Sequence, residues 1–212
     1  MTVIFSNTKK ILRKGNDKRV QKMKKYKLTS EFIVDISGVK LFRIKATADF
    51  CSVKKGELGG YIENEKNLAQ VGNAWVSGNA WVSGNAKVYG NAKVSGDAWV
   101  SGNAKVFGDA LVYGNAKVSG NAWVSDNAEV SRDADYATIS GFGSEYRTTT
   151  FFRNRSGQIE VRCGCFHGTI EEFRAKVKQT HGETKKAIEY LKVADLMEYH
   201  FSKEEEEKKV EE

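Results

Sequence analysis

The same six-residue unit recurs ten times without a gap, from GNAWVS at Gly72 to DNAEVS at Asp126, and no other feature limits the fold so strongly. An eleventh unit, RDADYA from Arg132, is degraded. Read from its aliphatic position, the unit runs Val, then Ser, Tyr or Phe, then Gly, then Asn or Asp, then Ala, then a variable residue. Val and Ala alternate with the variable position, so two small apolar side chains point inward and the residue between them points out, as on a short strand. Gly with Asn or Asp tolerates the left-handed backbone angles that a corner needs. A six-residue side closed by a corner predicts a triangular coil of eighteen residues, whose strands stack in parallel about 4.8 Å apart. Ten units make about three coils with a thin Val and Ala core. Positions 73, 91, 109 and 127 read Asn, Asn, Asp and Asn, a polar ladder up one corner. A flat sheet of hairpins and an extended disordered tract compete with this coil, and the strict period with inward Val and Ala argues against both.

The flanks read as small modules. EFIVDI and KLFRIKA, separated by Ser37-Gly38, form a hairpin, and Gly59-Gly60 marks a turn into the first coil. This module caps an end that would otherwise expose strand edges and polymerise. After the repeats, YRTTTFFRN and QIEVRCGC form a second hairpin around Ser156-Gly157. Thr169 and Glu172 then make a capping box for a helix with Ile170, Phe173 and Val177 inward. A second helix carries Ala187, Tyr190, Leu191, Ala194, Met197 and Phe201 on one stripe, ahead of a solvated KEEEEKKVEE tail. The expected fold is therefore mainly β: a three-sided parallel β-helix with an N-terminal β cap and a C-terminal α+β module. Its segments are an arm over 1–30, a cap over 31–71, the β-helix over 72–143, the module over 144–202 and the tail over 203–212.

The formal charge of +7 acquires meaning only when divided. Residues 1–30 carry ten Lys or Arg against Asp17, whereas 31–71 balance and the remaining stretches are each close to neutral. The basicity is an arm made of Lys9, Lys10, Arg13, Lys14, Lys18, Arg19, Lys22, Lys24 and Lys25, with Lys27 beyond them. It reads either as a solubilising, partly disordered leader or as a phosphate-steering segment for nucleic acid. The apolar segments are short and interrupted by charge, and the lysine-rich start lacks the apolar stretch of a secretory signal, so a cytoplasmic location with no membrane partner is expected. Cys51, Cys163 and Cys165 are an odd, sparse set, which fits free thiols in a reducing compartment.

The repeat Val-x-Gly-Asn-Ala-x resembles the hexapeptide repeat of left-handed parallel β-helix proteins, and that resemblance supplies the expected handedness. More narrowly, the segment from Leu41 to Val76, with its LGGYIE lead-in, is similar to bacterial and phage-encoded hexapeptide-repeat proteins. RCGCFHGTIEEF, from Arg162 to Phe173, is similar to the C-terminal module of the phage and prophage members, which implies a viral or prophage origin. Many hexapeptide-repeat proteins are acyltransferases with a histidine on the helix as general base. Here the histidines are His167, His181 and His200, all beyond the repeats, and a base must reach the proton it removes. Acyl transfer is therefore the lesser alternative, no cofactor is expected, and fold alone argues no activity. Cys163, Cys165, His167 and His181 suggest a metal site, but their spacing is wrong for a knuckle. Ile159, Val161, Cys163 and Cys165 instead alternate as a buried face, and His181 before Gly182 suits a helix C-terminus.

Trp75, Trp81, Trp99 and Trp123 all occupy the outward position between Ala and Val. At eighteen residues per coil, Trp81 and Trp99 share a column that continues to Lys117. Lys93 falls in the column of Trp75, and Lys87 and Lys105 fall in that of Trp123. Tyr89 and Phe107 share another column, with Tyr113 beside it. Aromatic rings next to lysine suit stacking on bases or sugars, or anchoring a protein. They also suit cross-strand pairing within the coil or cover by another module or copy. At least one face is expected to be an interface, and a homo-oligomer, most simply a dimer, is expected. The leading expectation is a non-catalytic, phage-associated scaffold that engages a bacterial protein or ribonucleoprotein, such as an inhibitor of a host defence complex of the CRISPR kind. A nucleic-acid or small-ligand binder using the same aromatics is the alternative.

Overall fold

Alternating apolar residues carry the chain first through three antiparallel strands, β1 (Tyr26–Val34), β2 (Lys40–Ala46) and β3 (Leu58–Ile62). The computed structural model describes residues 24–143 and 145–202. The turn between β1 and β2 is set by Asp35, whose carboxylate accepts from the backbone N–H of Ser37 and of Val39 at 2.9 Å each. The cap is thus a meander that starts at Tyr26, inside the segment read as an arm. Gly59 and Gly60, read as a turn, lie within β3 instead. Glycine is needed there for closeness: a Cβ on Gly59 would come within 2.6 Å of the Val76 carbonyl oxygen and 2.7 Å of the Trp75 ring.

Ten two-residue strands follow: β4 (Trp75–Val76), β5 (Trp81–Val82), β6 (Lys87–Val88), β7 (Lys93–Val94), β8 (Trp99–Val100), β9 (Lys105–Val106), β10 (Leu111–Val112), β11 (Lys117–Val118), β12 (Trp123–Val124) and β13 (Glu129–Val130). They stack in parallel on three faces, in the orders β3-β5-β8-β11, β4-β7-β10-β13 and β6-β9-β12, which is the eighteen-residue circuit. Every Val from Val76 to Val130 and every Ala from Ala74 to Ala128 at the repeat positions is buried. Corner glycines carry the left-handed angles, as at Gly96 (φ 67°), where a Cβ would also sit 3.0 Å from the nitrogen of Gly114 one coil on.

The solenoid makes about four turns rather than three, because residues outside the motif build its first coil. Tyr61 pairs with Trp81 and Leu68 bridges Val88, each twenty residues apart. Asn67 fills the longer corner, fully buried, with its amide donating to the carbonyls of Gly84 and Ala86 at 3.0 and 2.9 Å. Residues 58–71, read as part of the cap, belong to this coil.

Past β13 a short turn at Asp133–Asp135 leads into an antiparallel sheet of β14 (Tyr136–Ile139), β15 (Thr149–Arg153), β16 (Ile159–Cys163) and β17 (Phe166–Thr169). Adjacent residues of β15 serve two cores: Phe152 plugs the end of the solenoid, and Phe151 packs into the cluster under the helices. Thr169 and Glu172 form the reciprocal cap that starts α1 (Ile170–His181), and Thr184 caps α2 (Lys185–Phe201). The buried stripe of α2 includes Val193 in addition to the residues read from periodicity, while Leu191 is only half-buried. Cys165 is not on a buried face: β16 ends at Cys163, and Cys165 is exposed in the turn that follows.

Candidate binding face

The outward variable positions fall on three different faces, so the aromatic set does not form a single surface. Trp75 is buried at 5% exposure. The cap lies on it, with the rings of Phe50 and Tyr26 at 5.3 and 6.4 Å, because β4 is the first rung of its face and meets the cap instead of solvent. Lys93 follows it on that face and is exposed. Trp123 is half-buried beside the C-terminal sheet, whose Thr150 hydroxyl accepts from the Trp123 backbone N–H at 3.0 Å, and Lys105 lies 4.1 Å over its ring. Lys87 precedes Lys105 in that column. Tyr89 and Phe107 stack in parallel at 4.9 Å, but Arg162 closes their column 5.0 Å from the Phe107 ring. Burial raises the Tyr89 hydroxyl pKa above its usual value. Tyr113 donates to Glu129 at 2.7 Å, and that bond likewise raises its pKa.

Another column runs from Tyr61, which is buried, to Trp81, half-buried, and then to Trp99 and Lys117, both exposed. Trp81 and Trp99 are direct neighbours, their rings 3.9 Å apart at 83°, and the Lys117 ammonium lies 5.4 Å over Trp99. Trp99 is 37% exposed. On the cap side, Tyr61 and Arg43 bond each other at 3.0 Å, and both reach the Glu31 carboxylate at 3.1 Å. The β1–β2 turn overhangs this column. Asp35, Ile36 and Ser37 face Trp81 and Trp99 across a groove of about 260 Å³, and the Ile36 side chain is fully exposed. The eighteen-residue count misses Tyr61 because the first coil is two residues longer, and it misses Ile36 because a turn residue carries no periodic signal. Chemically the face offers two indole edges, a cation and an apolar finger, a combination suited to gripping a flat or aromatic group.

The basic arm is described only at its end. Lys9, Lys10, Arg13, Lys14, Lys18, Arg19 and Lys22 lie outside the described residues. Lys24 pairs with Glu65 at 2.7 Å. Lys25 is 7% exposed and donates to the Gly72 and Ala74 carbonyls at 3.1 and 2.7 Å, and burial lowers its pKa to about 8. Both were read as part of the basic arm, and both are tied to the first coil.

Cys163 and His167 stand on opposite faces of the β16–β17 pair, since Cys163 opposes Phe166 and Arg162 opposes His167. Cys163 accepts from the Thr149 hydroxyl at 3.2 Å. His167 meets Glu160 at 2.7 Å and Asp126 at 3.4 Å, and Asp126 also binds Arg162 at 2.6 Å. Among the described residues no group of three or more His, Cys, Asp or Glu is placed to hold a metal ion. No helix among them is long and apolar enough to cross a membrane.

Among curated proteins, none matches the chain. A family model described as the YdcK beta solenoid repeat matches residues 86–102, which is close to one eighteen-residue circuit. With the stacked faces on either side of that stretch, the match makes this chain a β-solenoid repeat protein.

Proposed function

We propose that this chain is a non-catalytic scaffold that engages a bacterial macromolecule through the solenoid face bearing Tyr61, Trp81, Trp99 and Lys117. The observation that carries the reading is the Trp81–Trp99 pair facing the Ile36 overhang across a groove, with Trp99 exposed, whereas Trp75 is buried by the cap and the Phe107 and Trp123 rings each carry a cation over them. A rigid coil holds these groups in place before binding, so little side-chain entropy is lost on contact. Trp is among the residue types that dominate interface energetics, and this face carries two of them. The finer reading, a phage-borne protein acting in the cytoplasm of its host on a defence complex such as a CRISPR effector, is supported by the likeness of LGGYIE and RCGCFHGTIEEF to phage and prophage proteins. The absence of catalysis is supported by the repeats having no histidine.

Affinity capture from a bacterial lysate with the native chain and with a Trp81→Ala, Trp99→Ala double variant tests this. The native chain is expected to retain a partner that the variant loses, and equal recovery by both would discard the face. Salt-sensitive recovery that survives the double substitution would favour nucleic acid bound through the arm.

A further inference from the structure

The C-terminal module holds a second concavity that has no part in the solenoid face. It is a cleft of about 220 Å³ between the β16–β17 turn and α1. Its floor is apolar, formed by Phe166, Phe173, Val177 and Tyr190, and the Phe173 and Tyr190 rings meet edge to face at 5.5 Å. Its rim is cationic. Arg147 stands on one side, close enough to the turn that a Cβ on Gly164 would lie 3.2 Å from its guanidinium, and Lys176 and His181 stand on the other side. Among the described residues, the only carboxylate on the rim is Glu145, which meets Arg147 loosely at 3.7 Å with both side chains well exposed. Lys176 has the Gln179 amide oxygen at 3.1 Å and no carboxylate partner among the described residues.

An apolar floor under a rim with surplus positive charge selects a ligand that is itself divided, with an apolar body and an anionic end. The volume falls below the about 300 Å³ at which drug-sized pockets begin, so the body must be short. We propose that this cleft binds a medium-chain apolar carboxylate, its chain lying on Phe173, Val177 and Tyr190 and its carboxylate held by Arg147 and Lys176. Glu145 competes for Arg147, so binding displaces Glu145 to solvent.

The thiols allow a direct test on the full chain. Cys165 lines the cleft and is exposed, while Cys51, also exposed, sits in the N-terminal cap and serves as an internal reference. Alkylation of each by N-ethylmaleimide is followed by peptide mass spectrometry with octanoate or octanol present. Octanoate is expected to slow Cys165 relative to Cys51 by roughly fivefold or more, because a seated ligand closes access to the thiol. Octanol, lacking the charge, is expected to protect far less. Arg147→Glu is expected to abolish the protection, Glu145→Gln to give it at lower octanoate concentration, and Thr180→Trp, an exposed helix position at the mouth, to block it. Unchanged relative rates with saturating octanoate, equal protection by octanol, or full protection in Arg147→Glu would each overturn the assignment.

Discussion

Asn103 accepts a hydrogen bond from the Asn85 amide at 3.1 Å and donates one to Asn121 at 3.0 Å, so a single corner side chain ties three successive coils. Aspartate accepts but has no hydrogen to pass on. The ladder from Asn79 therefore ends at Asp97, and the one from Asn73 through Asn91 ends at Asp109, among the described residues. Urea unfolding of Asn103→Ala is expected to show a loss of about 1 kcal/mol for the two bonds. Asp97→Asn, which restores a donor facing Asn115, is expected to gain a few tenths of a kcal/mol or more. The ladders could be read from the spacing of Asn and Asp because a strict repeat converts sequence distance into height. Lys25 could not, because nothing in a run of lysines distinguishes the one that folds back onto the carbonyls of Gly72 and Ala74.

At the scale of elements, the last corner of the solenoid breaks the repeat to hold the module. Asp126 takes the place of the corner glycine and keeps its left-handed angle (φ 56°), a conformation aspartate tolerates better than most residues. Its carboxylate then reaches Ser125 and Arg162 at 2.6 Å each, and Arg162 also donates to Ser125 at 2.7 Å. Burial works against ionisation of Asp126, but the Ser125 hydroxyl, Arg162 and His167 outweigh it and hold the carboxyl below its usual range. A carboxyl depressed in the folded state adds stability above its unfolded value, about 3.9, and loses it as pH falls through the lower folded value. Arg162→Ala is expected to cost about 1 kcal/mol near neutrality, limited by the partial exposure of Asp126. The gap from the native chain should narrow in melts taken below about pH 4, and a constant gap would dissociate the latch from Asp126. By sequence, DNAEVS at Asp126 counts as the tenth regular unit of the repeat. Its meaning depends on a strand thirty-six residues away, at Arg162, beyond the reach of any local pattern. The first coil escaped for a related reason: LGGYIENEKNLAQ has neither the motif nor the period, and only pairing with Trp81 and Val88 defines it.

For the whole molecule, the two caps decide which parts of a symmetric coil remain available. Tyr26, Ile44 and Val53 close one end and Phe152 the other, so the hydrophobic core is continuous and neither end of the stack is left for another chain to extend. The N-terminal cap buries Trp75 and the C-terminal module sets Arg162 against Phe107, while Trp81 and Trp99 keep an open groove beside them. The architecture was evident in the repeat, but the choice of face was not, since four tryptophans in equivalent positions become different only when the ends are built. Everything proposed for that face requires Trp81 and Trp99 to touch across one circuit while Trp81 and Trp123 stand on separate sides. A double-mutant cycle in urea unfolding measures this directly. Alanine substitution at 81 and 99 should be non-additive by about 0.5–1.5 kcal/mol, and at 81 and 123 additive within about 0.5 kcal/mol. Additivity at 81 and 99, or equal coupling in both pairs, would contradict the eighteen-residue circuit and remove the binding face with it.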